Sequence, residues 1–383
     1  MKAATREFLK QRFTEYYRTG NLASPPSLEQ REWGFMFFDT DYPEIRMRRH
    51  MGFGGRKELL DYIRAMVPAH AYYSSAYYGA PAAGTMGEKR WSGADLIFDL
   101  DADHIIRADY GTMLARVKEE TEKLIAMLTS ELGFSSRGIS VVFSGGRGYH
   151  VHIRDPLVRI WGSPERRELV DYVCGTGLDP GLVLGGAMGD DEGWGKRFIR
   201  TVGEYVSWLR SMDPQEAEAR LMEMEGIGEK SAHTFLARIQ TLPADISAEQ
   251  VGQLLGTRVL SSAIREEKGE FWKRIRSRAA LADEPVTTDT KRLIRMPTSL
   301  HGGSGFRVTP LSVSELSSFD PLTDAVIFGT REVQIEAGRA VVMPMLGSTY
   351  SVTKGENRVP EALAVFLCCR GLAELSGGGV HTA

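Results

Sequence analysis

Asp99 and Asp101 stand one residue apart in the run ADLIFDLD, residues 94–101. The flanking apolar residues predict a β-strand, in which side chains alternate between two faces. Asp95, Ile97, Asp99 and Asp101 then share one face, while Leu96, Phe98 and Leu100 share the other and pack into a core. Two carboxylates at i and i+2 on one face repel each other, and aspartate is a poor strand former. A divalent cation removes that cost, and hard oxygen ligands of this kind suit Mg2+ or Mn2+. Read without a metal, the pair is a solvated strand end. Asp103, the next residue of that face, falls past the expected end of the strand.

A second group lies in VVFSGGRGYHVHI, residues 141–153. Gly145, Gly146 and Gly148 allow a tight turn on which a ligand can approach the backbone closely. Arg147 sits on that turn, where a guanidinium can hold phosphate oxygens in a bidentate fork. Ser144, Arg147 and His150 can therefore converge on a phosphate chain. By itself the segment is a glycine-rich hairpin with two surface histidines; it is neither a P-loop nor a GxGxxG fingerprint. The third group is TTDTKRLIRMPTSLHGGSG, residues 287–305. Asp289 precedes TKRLIR, placed either to cap a short helix or to supply a third carboxylate to a two-metal site. Lys291, Arg292 and Arg295 follow, then Ser299 and His301 before a glycine-rich turn. Nucleotidyl transfer needs a hydroxyl activated near a metal, a triphosphate held by cations, and charge stabilised on the leaving pyrophosphate. The three groups together supply that inventory.

The elements that must position these groups follow from periodicity. Phe8, Leu9, Phe13, Tyr16 and Tyr17 predict an amphipathic helix over 3–18. A connector follows at 21–27, then a strand over 33–38 and a helix over 57–66 that ends before Pro68. Tyr72, Tyr73, Tyr77 and Tyr78 read as an aromatic core wall or as a surface that meets bases. A long helix is expected over 113–132 and a strand–turn–strand over 139–153. Residues 164–283 are polar and helix-rich, the pattern of a helical insertion between two parts of one α/β domain. Within it MEGIGEKSAHTFL, residues 224–236, resembles the Gly-x-Gly turn of a helix-hairpin-helix, although ordinary helix-stop chemistry accounts for the same residues. Strands are expected near 325–329 and 339–343, and a closing helix over 359–375. The expected division is 1–160, 161–284 and 285–383.

The 383 residues are 42% hydrophobic, enough for a sizeable core. Lys+Arg is 47 and Asp+Glu 50, a net charge of −3, which excludes a bulk-basic protein but not a local basic groove. Cys174, Cys368 and Cys369 form no CxxC or Cys/His cluster, which argues against structural zinc and against a disulfide framework. The apolar runs fall short of the roughly 18 residues of a membrane span, and the N-terminus has no apolar signal core. The expectation is a soluble, cytoplasmic protein with no membrane partner.

Taken together and in this order, FDLDADH, SGGRGYHVHI and DTKRLIRMPTSLHGGSG resemble the catalytic small subunit of the archaeal and eukaryotic-type DNA primases. The segments REWGFMFF, RRH and AYYSSAYY are similar to that family too, and the likeness covers 6–155 and 285–310 well. It implies an α+β primase-polymerase fold, a mixed α/β catalytic core with an inserted helical subdomain. It implies a Mg2+- or Mn2+-dependent nucleotidyltransferase that makes short primers on a single-stranded DNA template, with the preference between NTPs and dNTPs left open. It also implies a heterodimer with a large regulatory subunit. Asp99, Asp101 and Asp289 match the family's metal-binding triad, and Ser144, Gly146, Arg147 and His150 its nucleotide-phosphate motif. Arg295 and His301 match further triphosphate contacts. Many members carry a Cys/His zinc knuckle after the first motif, whereas HIIRADYGTMLARVKEE has one His and no Cys, so no zinc is expected. Two other readings remain. One is a related primase-polymerase of repair or end joining, which a preference for a 5′-phosphate at a gap would reveal. The other is a non-catalytic nucleic-acid-binding scaffold, which loss of an aspartate would favour.

Overall fold

The computed structural model describes residues 1–39, 42–43, 47–105, 108–179, 183 and 193–376. The chain divides into two compact units. The first comprises Met1–Ile125, Phe134–Leu169 and Leu281–Ala383; the second comprises Ala126–Gly133 and Val170–Ala280. The chain thus re-enters the first unit at Leu281, ahead of the expected boundary at 285.

Two four-stranded sheets organise the first unit. In one, the strand Trp33–Phe37 lies between Arg48–Met51 and Pro68–Ser74, and Leu293–Arg295 joins the far side of Pro68–Ser74. Trp33, Phe35 and Tyr73 are fully buried there, with the Trp33 and Tyr73 rings 5.9 Å apart. The helix Arg56–Met66 buries Leu59, Leu60 and Ile63, neighbours at helical spacing. Tyr73, Tyr77 and Tyr78 are core residues, whereas Tyr72 is only half-buried.

The second sheet carries the strand Leu96–Asp101 at one edge, then Gly148–Ile153, Ile139–Phe143 and Thr309–Leu311. Its alternation is the expected one: Phe98 and Leu100 are fully buried, Asp99 and Asp101 partly exposed. On the apolar face Phe143 packs on Tyr149 and Phe319 at 5.5 and 5.7 Å. All of the paired strands run antiparallel.

Near the C-terminus the periodicity misleads. Residues 325–329 form a turn and coil after the short helix Pro321–Asp324. Strands lie at Glu332–Ala337, at Val341–Met345 where one was expected near 339–343, and at Ser348–Val352 and Gly355–Pro360. The closing helix is only Glu361–Cys369; Gly371, at φ +67°, ends it in a left-handed turn, and Ala373–Leu375 continues as a strand beside Glu332–Ala337.

The second unit is helical. Gly193–Arg210 buries Phe198, Val202, Tyr205, Val206 and Leu209, a single apolar stripe. Asp213 caps the helix Pro214–Met222 through the Gln215 N–H, 2.9 Å away. The Gly226–Gly228 turn, with Gly226 at φ +78°, leads into the helix Glu229–Gln240. No helix of the described residues is long and apolar enough to cross a membrane.

Candidate active site

The edge strand and its neighbour fix the first group. Asp99 lies opposite His150, and Asp101 opposite Gly148. Gly148 cannot be larger: a Cβ there would sit 2.3 Å from the Leu100 carbonyl oxygen. The glycine therefore lets the strand carrying His150 close on the strand carrying both aspartates. His150 Nε2 stands 3.5 Å from Asp99 Oδ1. Burial lowers His150 to about 3, helped by Arg295 and Arg292, so its imidazole is neutral, not a cation.

Asp99 is the most perturbed carboxylate among the described residues. Burial raises it to about 7, with Asp101 and Asp283 adding like charge, while Arg292 and Arg295 pull it down. Asp283 is a residue that spacing did not single out. Its backbone N–H donates to the Asp99 carbonyl, 2.8 Å, on the outer edge of the sheet where Leu96–Asp101 has unpaired backbone groups. It stands at the N-cap of the helix Glu284–Thr288, yet its side chain makes no capping bond.

Asp289, expected as the third carboxylate, is not among the charges that act on Asp99. It is exposed, closes the helix Glu284–Thr288 at its C-terminal end, and its Oδ1 accepts the Lys291 N–H at 2.9 Å. The following residues Leu293–Arg295 form a strand, not the helix that Asp289 was expected to cap. Asp95 also leaves the constellation. It is buried, ion-paired to the fully buried Arg31 at 2.8 Å and bonded to the Tyr77 hydroxyl at 2.6 Å. That pair is structural, and removing one partner of such a pair costs about 3–5 kcal/mol.

The glycine turn is braced from two sides. The Tyr110 hydroxyl donates to the Gly146 carbonyl, 2.6 Å, and Ser304 Oγ donates to the Gly145 carbonyl. Tyr110 opens the helix Tyr110–Ser130, within the stretch where the family's zinc knuckle was expected to be missing, and its ring packs 5.2 Å from Phe366. Arg147 and Asp101 both act electrostatically on its hydroxyl. Ser144 Oγ accepts the Gly146 N–H at 3.3 Å. A Cβ on Gly145 would meet the His301 Cβ at 2.7 Å, so His301 lies directly against the turn. His301 Nδ1 accepts the Gly303 N–H at 3.1 Å, which leaves the ring proton on Nε2, the nitrogen nearest Gly146. Burial and Arg295 keep this imidazole neutral, well below the ordinary histidine range.

Asp99, Asp101 and Asp283 thus group together, and Arg292, Arg295 and His150 share their field. Ser144, Gly146 and His301 meet at the adjoining turn. Among the described residues no group of three or more His, Cys, Asp or Glu side chains is placed to hold a metal ion without further ligands. Mg2+ is characteristically held by one or two carboxylates and completed by substrate phosphates and water. An open group of carboxylates in which burial, and then the charges of Asp101 and Asp283, lift Asp99 to about 7 fits that requirement.

A family model described as the DNA primase small subunit matches residues 98–313, a span that holds every residue of this site from Asp99 to His301. The chain is 57% identical to the DNA primase small subunit PriS of Methanoregula boonei, over 98% of this chain and 100% of that one. It is 53% identical to the PriS of Methanosphaerula palustris, over 99% and 100%. It is 40% identical to that of Methanosarcina acetivorans, over 98% and 97%.

Proposed function

Since the chain belongs to the DNA primase small-subunit family, we propose that its catalytic role in primer synthesis for DNA replication runs through Asp99, Asp101 and Asp283. The observation that carries this reading is the convergence of the Asp283 charge on the already repelled pair Asp99 and Asp101. These carboxylates would hold two Mg2+ or Mn2+ ions. When bound, such ions activate a 3′-hydroxyl and offset charge on the leaving pyrophosphate.

The rest of the chemistry belongs to the chain. The missing Cβ atoms of Gly145 and Gly146 let His301 close against the turn, which sets its imidazole beside the backbone that would meet the triphosphate. Arg147, Arg292 and Arg295 supply positive charge for the phosphates, and Ser144, His150 and His301 supply directional hydrogen bonds. The neutral state of both histidines suits them to orient an anion without locking it in place. The 3′-hydroxyl oxygen bonds to the α-phosphorus as the bond to pyrophosphate breaks. The substrates are nucleoside triphosphates on a single-stranded DNA template. The name small subunit, carried by the relatives, points to a large-subunit partner. Tyr110, at the start of the helix Tyr110–Ser130, braces the turn, and this reading assigns no role to zinc.

The test is labelled-nucleotide incorporation on unprimed single-stranded DNA with Mg2+ or Mn2+, comparing the chain with Asp101→Ala. Metal-dependent products that vanish in the variant are expected. Equal products from both proteins would overturn the assignment. Extension only from an annealed primer would place initiation with the partner subunit.

A further inference from the structure

Arg295 does not stand alone at the site. Its Nη1 donates to His70 Nδ1 at 2.7 Å, the one hydrogen bond of that guanidinium among the described residues. Its carbon lies 5.1 Å over the Tyr72 ring, the residue paired with it across the sheet. The same His70 Nδ1 is approached by the Gly302 N–H at 3.4 Å. Gly302 is wedged in place: a Cβ there would sit 2.6 Å from the Tyr42 hydroxyl and 2.8 Å from both the Ala69 carbonyl oxygen and His70 Nε2. The His301 ring meets the His70 ring edge-on, with centroids 5.1 Å apart. His70 is therefore the common support of Arg295 and of the loop that bears His301.

The choice of histidine has a chemical reason. With Nδ1 accepting both bonds, the ring proton is on Nε2 and the imidazole is neutral. Burial and the nearby guanidinium hold His70 well below the ordinary histidine range, which keeps it an acceptor. A carboxylate in this place would also hold Arg295, but it would neutralise the charge that a phosphate needs. A neutral acceptor orients the guanidinium and leaves its charge and its other donors to an anion.

We propose that His70 is a positioning residue for nucleotide binding, setting the Arg295 guanidinium and the Gly302 loop before the triphosphate arrives. This rests on the reading of Arg295 as a triphosphate contact. The test is steady-state primer extension by the full-length chain, giving kcat and nucleotide KM for His70→Leu, His70→Asn, Arg295→Ala and the double variant His70→Leu/Arg295→Ala. Thermal melting of each variant checks its fold. Loss of a charge-assisted hydrogen bond predicts that His70→Leu raises KM about tenfold with kcat little changed. His70→Asn, which keeps an acceptor, recovers most of that loss. The double variant loses less than the two single losses combined, because the part of the His70 effect that runs through Arg295 is already gone. Unchanged KM in a folded His70→Leu overturns the proposal. So does an equal loss in His70→Leu and His70→Asn, or full additivity in the double variant. Unchanged KM in Arg295→Ala overturns the phosphate reading itself, whereas a raised KM there with a silent His70→Leu overturns only the positioning role.

Discussion

Replacing Asp99 with asparagine removes a charge that the folded chain holds at a cost. Burial first, then Asp101 and Asp283, lift the carboxyl from 3.8 to about 7 against the pull of Arg292 and Arg295. A carboxyl raised by folding binds more protons in the folded state than in the unfolded one. It therefore subtracts nothing below its unfolded value, subtracts progressively more as pH rises from 3.8 to about 7, and a constant amount above that. At about 1.4 kcal/mol per pKa unit the full cost is about 4 kcal/mol, an upper bound. Water lowers it, because 21% of the Asp99 side chain is exposed. Without divalent cations, at about pH 8, Asp99→Asn should melt higher than the parent chain by on the order of 5 °C. The gap should close as pH falls toward 4 or so. Scanning fluorimetry in a chelator reads both effects. Adding Mg2+ or Mn2+ should then raise the parent's melting temperature and leave the variant where it was. Nucleotide incorporation by the variant should be lost. An Asp99→Asn protein that melts at or below the parent temperature at the higher pH would refute the argument from burial and repulsion, and near-normal incorporation would refute the catalytic one.

Three further outcomes separate the site's parts. Asp283→Ala should abolish incorporation, while Asp289→Ala should stay within about twofold of the parent, as for an exposed substitution; the reverse order in the same primer-synthesis assay would restore Asp289 as the third carboxylate. Arg147→Ala should raise the nucleotide KM by at least about tenfold, the worth of a hydrogen bond to a charged group. An unchanged KM would remove Arg147 from the triphosphate site. Tyr110→Phe leaves the Gly146 carbonyl without its 2.6 Å donor, so KM should rise about fivefold, the value of one neutral hydrogen bond. A wild-type KM would mean that the turn holds its shape without the brace.

What spacing could and could not supply is clearest at the aspartates. Alternation alone places Asp99 and Asp101 on one face, because a strand with Phe98 and Leu100 in the core leaves them no other. The same alternation enrols Asp95, and there it fails. The residue that decides Asp95 is Arg31, which the chain brings from a distant segment into a fully buried ion pair. The closing helix was legible in its apolar residues but overrun, since only the left-handed turn at Gly371 marks its end. Glu332–Ala337 does alternate, with Val333, Ile335 and Ala337 buried, so the signal for this strand is present in the sequence. Asp283 is a harder case. It and Asp289 both precede the cationic run, and a boundary drawn at 284 assigns Asp283 to the helical insertion. Its neighbours Glu284 and Pro285 announce a helix start, which predicts a capping role for the side chain. The folded chain makes no such cap. Instead the segment returning at Leu281 meets the open edge of the strand Leu96–Asp101, and one backbone bond, from Asp283 to Asp99, sets the carboxylate beside the pair. That contact joins residues far apart in the sequence across the whole insertion, and local periodicity carries no information about it. Of these two acids, the one whose oxygens are not consumed by a cap or a turn is the one we propose as the third carboxylate. Asp289 gives its Oδ1 to Lys291, and Asp283 caps nothing.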